Sequence, residues 1–176
     1  AWATLPSLLD SVRRVRVARE LRGERSTASL LVPVLEHTVE RAIALGASME
    51  VRGFAASRRA VPNCESPAVL RDAALGYEGT WILEGVSLTL APATLTLVSG
   101  ATGSGKSTLI HALSGLFQHV SGGEQSGSID VAGVDRATAP PRDTAGFVGV
   151  VSQRVRLSFV AATVREEIGF ALANRG

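Results

Sequence analysis

Lysine is almost missing from this chain. Of its 18 lysine and arginine residues only one, Lys106, is lysine. Cysteine also occurs once, as Cys64 in a polar stretch. That excludes an intrachain disulfide and a cysteine-pair metal site, and it fits a reducing compartment. No apolar run of transmembrane length is present. The nearest, Gly85 to Thr102, lacks charge but alternates Ser/Thr with apolar residues and contains Pro92, which reads as two strands and a turn. No signal peptide is visible at the front. Charge of one sign does not dominate, since the net is +2. The basic segments carry no interleaved aromatics, so a nucleic-acid partner is not expected. The chain begins with Ala1 rather than Met and stops at Asn174-Arg-Gly176 soon after a helical pattern starts. Both ends are therefore expected to be cut from a longer protein.

What is present centres on Gly100-Ala-Thr-Gly-Ser-Gly-Lys-Ser-Thr108. Gly100, Gly105, Lys106 and Ser107 fit G-x-x-x-x-G-K-[ST]. The apolar run Leu95–Ser99 before it reads as a strand, and Leu109–Leu116 after it as a helix. Glycines let backbone N–H groups close around a phosphate chain where a Cβ would obstruct the turn. The helix adds its free amides and positive dipole end. Lys106 would reach the β- and γ-phosphates, and the Ser107 hydroxyl would take one Mg²⁺ position. Gly100, Ala101, Thr102, Gly103, Ser104, Gly105, Lys106, Ser107 and Thr108 are thus the candidate nucleotide-binding residues. A compact ammonium suits a phosphate cradle better than a planar guanidinium, which gives the solitary lysine its meaning.

The charge is uneven along the chain. Residues 1–66 hold ten arginines against seven acids, and the remainder is slightly acidic. The front reads as two helices. One opens at Thr4–Asp10, with Leu5, Leu8, Leu9, Val12 and Val15 on one side and arginines toward Gly23. The other runs from Ser29 to Arg52, with Leu31, Leu35, Thr38, Ala42, Leu45 and Met49 forming a heptad-like seam and Gly53 ending it. Residues Phe54 to Pro67 read as a linker.

From Ala68 the pattern turns to strands. Val69–Leu75 and Trp81–Leu90 are joined by Gly76-Tyr-Glu-Gly79, and Ala91-Pro-Ala93 turns the chain into the phosphate-loop strand. Ser121–Gly127 reads as a flexible turn, Ser128–Ala132 as a strand, and Val134–Thr144 as a loop. Phe147–Val151 reads as a buried strand ending at Ser152-Gln153. Thr163-x-x-Glu166 is a capping box that opens a helix with Val164, Ile168, Ala171 and Leu172 on one side.

Antiparallel-looking strands precede the phosphate loop. Tyr77 lies 23 residues before Gly100, and Gln153 closes an apolar run 47 residues after Lys106. Together these features resemble the nucleotide-binding subunit of ABC transporters, from about Ala68 to the end. The resemblance implies an α/β P-loop NTPase fold, cut before the family's signature motif and preceded by an all-α helical pair. It implies ATP and Mg²⁺ as cofactors, Tyr77 as the adenine platform, and Gln153 as the glutamine that approaches Mg²⁺ and the attacking water. A neutral amide suits that task, because it can accept from water and point oxygen at a cation without a fixed charge. Lys106 and Gln153 are then the catalytic candidates, and Ser107 and Gln153 the Mg²⁺ candidates.

Gly115–Gly133 and Phe159–Leu172 look like the ATPases of energy-coupling factor importers, which take up vitamins and transition-metal ions. Arg154-Val-Arg-Leu-Ser158 departs from the Asn-Pro-type turn usual there. The front helices resemble the coupling helices of that system's transmembrane T component, with Arg52 in Val51-Arg-Gly53 at one coupling position and Arg19 or Arg22 at the other. On this reading 1–56 are T-component-like helices, 57–67 a linker, and 68–176 the front of an ATPase. A second ATPase subunit joined head-to-tail, the T and S membrane components, and a place on the cytoplasmic side of the cell membrane follow. A non-transport ABC ATPase and a P-loop small-molecule kinase are the alternatives.

Ser121-Gly-Gly-Glu-Gln125 resembles the ABC signature but starts 15 residues after Lys106, ahead of Gln153, and is rejected. No apolar run ends in an Asp-Glu pair. The expectation is a chain that binds ATP, with hydrolysis belonging to the full protein.

Overall fold

The computed structural model describes residues 12, 13, 15–17, 28–55 and 67–175. The first predicted helix falls largely outside the described residues, although 12, 13 and 15–17 are helical. The predicted linker lies outside them except at its ends. Among the described residues no helix is long and apolar enough to cross a membrane. They divide into two compact units. One holds the residues up to Ser48 together with Ser152–Leu172, and the other holds Met49–Val151 with those from Ala173.

In the second unit, β1 (Ala68–Tyr77) and β2 (Thr80–Leu90) form an antiparallel hairpin. Its two-residue turn has both Glu78 and Gly79 at positive φ (49° and 75°), the handedness that matches strand twist. β3 (Glu124–Val131) pairs with the other edge of β1, and the short β4 (Val134–Asp135) completes the order β2-β1-β3-β4, all antiparallel. Leu70, Ala73 and Leu75 of β1 point into the core with Ile129 and Val131 of β3. They meet Leu109 and Ala112 of α2 (Lys106–Ser114) and Phe117 of α3 (Leu116–His119). This is the α/β arrangement of a P-loop NTPase, with the antiparallel layer against the helix that leaves the phosphate loop.

Several elements differ from the sequence expectation. Leu95–Ser99 has no regular structure and joins no strand, with Leu97 86% exposed. Phe147–Val151 is likewise irregular, and Val151 is 89% exposed. The cause is the same for both. An apolar, β-branched run becomes a strand only when a neighbour accepts its backbone hydrogen bonds, and none of the four described strands pairs with these segments. The expected turn 121–127 is shorter, since β3 starts at Glu124, and the expected loop 134–144 holds β4 and α4 (Pro141–Thr144). The predicted helix 109–116 breaks at Gly115 (φ 79°), where the fully buried Arg136 guanidinium lies 3.3 Å from where a Cβ would stand. Arg136 donates to Thr144 Oγ1 (2.9 Å) and to the Ala139 carbonyl (2.5 Å), so it fixes the segment after β4.

Helix α1 (Ala28–Val51) forms as expected, the residues up to Ser48 belonging to the first unit and its last three to the second. It ends in a glycine cap: Phe54 N–H donates to Met49 O and Gly53 N–H to Glu50 O, with Gly53 at φ 74°. Its inward row is not the predicted seam. Leu31, Leu35 and Ala42 are exposed, whereas Val34, Thr38, Arg41 and Leu45 are half-buried and Ser48 is buried. The two rows share Thr38 and Leu45, and Met49 of the predicted seam is half-buried as well.

Helix α5 (Val164–Arg175) begins with the predicted capping box. Glu166 N–H donates to Thr163 Oγ1 (3.3 Å), and Thr163 N–H to Glu166 Oε2 (3.2 Å). Glu167 Oε2 accepts from the amides of Val160 and Ala161, tying the preceding loop to the first turn. Of the residues on its apolar side, Val164, Ile168 and Leu172 are exposed and Ala171 is half-buried. Thr163→Ala should cost this helix about 1 kcal/mol of local stability. Faster amide exchange confined to the first turn of α5 is the expected readout, and unchanged exchange there would count against the cap.

Candidate functional site

The loop Gly100–Thr108 wraps around its own lysine. Lys106 Nζ donates to Gly100 O (3.0 Å), Ala101 O (2.6 Å) and Ser104 Oγ (3.3 Å). Ser104 N–H donates to Ala101 O, which closes the turn beneath it. Three glycines sit at positive φ: Gly100 at 154°, Gly103 at 84° and Gly105 at 83°. Gly105 is constrained twice, because a Cβ there would also stand 2.8 Å from the Leu83 side chain of β2. It is the N-cap of α2, and the first intrahelical bond runs from Leu109 N–H to Gly105 O.

The amides of Lys106, Ser107 and Thr108 therefore have no acceptor inside the helix, and their partial positive charges lie at its mouth. No side chain caps them. The interior turns of α2 are anchored by buried Leu109 and Ala112, so this mouth is held rigidly against the sheet. Gly100, Ala101, Thr102, Gly103, Ser104 and Ser107 are exposed, and Gly105, Lys106 and Thr108 half-buried. Backbone donors, a helix dipole and one ammonium converge, which is the equipment for an anion of several linked negative charges.

Tyr77 is the last residue of β1 rather than a turn residue. Its ring meets Phe117 edge-to-face, centroids 4.9 Å apart at 65°. Phe117 is fully buried, so the plane of Tyr77 is fixed from below. Sequence reasoning missed Phe117. The signal was the Gly122-Gly123 pair, because a Cβ on Gly123 would lie 2.3 Å from the Phe117 ring.

Gln153 belongs to the other unit. It is exposed in the turn before a 3₁₀ segment, Val155–Leu157, rather than at a strand end. Arg52 is half-buried in the glycine-capped end of α1. Arg19 and Arg22 lie outside the described residues. Among the described residues no group of three or more His, Cys, Asp or Glu side chains is arranged to hold a metal. The Ser107 hydroxyl, exposed in the first turn of α2, is a hard oxygen of the kind Mg²⁺ accepts.

The family profile of ABC transporters matches residues 83–174, just over half of the chain. A Streptomyces avermitilis protein named as an ABC transporter ATP-binding protein is 37% identical over 107 residues, covering 60% of this chain and 19% of its own length. A Methanosarcina acetivorans protein named likewise is 36% identical over 92 residues, covering 52% of this chain and 14% of its own. The energy-coupling factor transporter ATP-binding protein of Bacillus subtilis is 37% identical over 94 residues, covering 53% of this chain and 32% of its own. The chain thus spans about a fifth of the length of the Streptomyces relative. No solved structure gives a significant match. ATP-binding domains are what these relatives are named for, and a glycine loop closed by its lysine at a helix mouth is what this chain presents. On the match across residues 83–174, the chain belongs to the ABC transporter family.

Proposed function

We propose that this chain is the ATP-binding part of an importer ATPase of the energy-coupling factor type. The observation that carries the proposal is the Lys106 ammonium seated among Gly100 O, Ala101 O and Ser104 Oγ at the N-terminus of α2. A triphosphate entering there exchanges those neutral acceptors for charged ones, which bind an ammonium roughly twice as strongly. Residues 100–108 would hold the phosphates, and Ser107 would hold Mg²⁺. Tyr77, braced by Phe117, would offer its ring to adenine. Gln153 would face Mg²⁺ and the attacking water. Mg²⁺, when bound, neutralises charge on the β- and γ-phosphates.

The importer assignment draws on the Bacillus subtilis relative, named as an energy-coupling factor protein. The full protein would couple ATP binding and hydrolysis to import of a vitamin or transition-metal ion, at the cytoplasmic side of the cell membrane. Residues 68–176 would form the front of the ATPase, 57–67 a linker, and 1–56 coupling helices that engage membrane T and S components through Arg19, Arg22 and Arg52. A second ATPase subunit would join head-to-tail. No apolar run in these 176 residues ends in an Asp-Glu pair, so this stretch alone binds ATP without turning it over.

The solitary lysine makes a direct test. Amine-reactive labelling of the chain, located by peptide mass spectrometry, should modify Lys106 and the α-amino group. Mg²⁺-ATP should protect Lys106 about tenfold or more while leaving the α-amino group reactive. Equal labelling with and without nucleotide would sink the binding proposal. Sustained phosphate release by the chain would sink the statement about turnover.

A further inference from the structure

The segment Ser121-Gly-Gly-Glu-Gln125, which is not the ABC signature, has a place beside Tyr77. Its parts meet either α3 or the end of β1. Ser121 N–H donates to Leu116 O, and Gly123 N–H to Phe117 O at 2.9 Å, so the chain folds back along α3. Glu124 and Gln125 then open β3, paired with Gly76 and Leu75, the two residues before Tyr77. Gln118 of α3 closes the assembly, donating from Nε2 to Gln125 Oε1 at 2.6 Å.

The two glycines of the segment are there for different reasons. Gly122 lies at φ 67°, with open space where a Cβ would stand, so it serves the backbone turn. Gly123 has no positive φ, and its need is for room. A Cβ there would stand well inside contact distance of Cε1, Cε2 and Cζ of Phe117. Phe117 is fully buried, and its ring also meets Tyr77 edge-to-face. A carbon added at Gly123 therefore displaces the Phe117 ring, and a close-packed interior passes that displacement on to Tyr77.

We propose that Gly123 and Phe117 are positioning residues for the base of the nucleotide: the glycine sets the seat of the Phe117 ring, and that ring sets the plane of Tyr77. This deepens the function proposed above and rests on Tyr77 as the adenine platform. The phosphate loop stands apart from the device, because Lys106 bonds only within its own stretch. Recognition of the base and recognition of the phosphates are then separable by substitution.

Affinities of the full chain for Mg²⁺-ATP and for inorganic tripolyphosphate, measured side by side, test it. Tyr77→Ala should weaken ATP binding about tenfold and leave tripolyphosphate binding unchanged. Gly123→Ala and Phe117→Leu should each lower the preference for ATP over tripolyphosphate about threefold. Gly122→Ala strains the turn but adds nothing near Phe117, so it should keep the wild-type preference. Leucine at 117 lacks the three atoms that would clash. Joining Phe117→Leu to Gly123→Ala should therefore regain the unfolding midpoint lost in Gly123→Ala, but not the preference for ATP. Tyr77 is the only tyrosine of the chain, so ring-labelled tyrosine gives NMR signals from it alone. Without nucleotide, those signals should shift in Gly123→Ala and stay in place in Gly122→Ala. Unmoved signals in Gly123→Ala overturn the proposal. So does a preference for ATP that returns with stability in the double variant, which would make Gly123 a residue of general stability. A preference that falls in Tyr77→Ala but holds in Gly123→Ala and Phe117→Leu overturns the positioning role and leaves the platform standing. A preference that holds in Tyr77→Ala overturns the platform, and the role of Gly123 and Phe117 with it.

Discussion

Lys106→Ala is expected to weaken ATP binding by the chain about 100-fold, with no change in its unfolding midpoint. Lys106 Nζ makes three bonds, all to neutral oxygens of its own loop at a partly exposed site. Hydrogen bonds of that kind contribute little net stability, because water replaces them at small cost. With a triphosphate the same ammonium would make charge-assisted bonds, each on the order of 1.5–3 kcal/mol. Two such bonds lost, less the water that takes the place of the ammonium, come to about 2.7 kcal/mol, or a factor of 100. Lys106→Arg should rescue little. The loop closes around a compact point charge, and a planar fork brings its donors to the wrong places. Calorimetric titration with Mg²⁺-ATP measures both variants, and an alanine variant binding within twofold of wild type would refute the assignment.

Gly127→Ala should be the most damaging single substitution in the sheet, costing about 2–5 kcal/mol. Gly127 sits at φ 69°, where an L-residue is strained by about 1–2 kcal/mol. The larger part is steric. A Cβ there would stand 2.2 Å from the Asp72 carbonyl oxygen and 2.6 Å from that of Arg71, both backbone atoms that cannot swing away. Those residues form the irregularity of β1, where the register slips between Leu70 and Ala73 on the β2 side and between Arg71 and Ala74 on the β3 side. Asp72 itself is at φ 46°, and its N–H is taken up by Ser87 Oγ. The substitution would therefore push apart the two strands that hold Leu70 and Ile129 in the core. For a domain with about 5–15 kcal/mol in total, that is a large fraction. Gly79→Ala is the control. It has a similar φ of 75° but nothing within 4 Å of the added carbon, so only the conformational part, about 1 kcal/mol, should remain. Urea denaturation of the pair separates the two terms, and equal losses would refute the steric one.

The phosphate loop was legible in the chain because its requirements are local. Gly100, Gly103 and Gly105 are needed for their own φ angles, and Lys106 reaches only residues within six positions of itself. The β1–β2 hairpin was legible for the same reason, as was the capping box of Thr163 and Glu166, whose partners are three residues apart. The misread elements all depend on distant partners. Leu95–Ser99 and Phe147–Val151 have strand composition, but a strand is a pairing, and composition does not say whether a neighbour is at hand. The seam of α1 was misplaced because hydrophobic periodicity ranks leucine above serine, whereas Ser48 has a carbonyl 110 residues away to bond.

By itself, then, the order of residues determined the anion cradle, its single ammonium, the turns and the helix caps, since each is set by dihedral preference and by bonds that close within a few residues. Only the tertiary structure decided that Phe117 braces Tyr77, that Arg136 is buried against Gly115, and that Ser48 of α1 bonds the Ser158 carbonyl. Those contacts join segments far apart in the chain, and their geometry follows from how the elements pack rather than from any pattern within one of them.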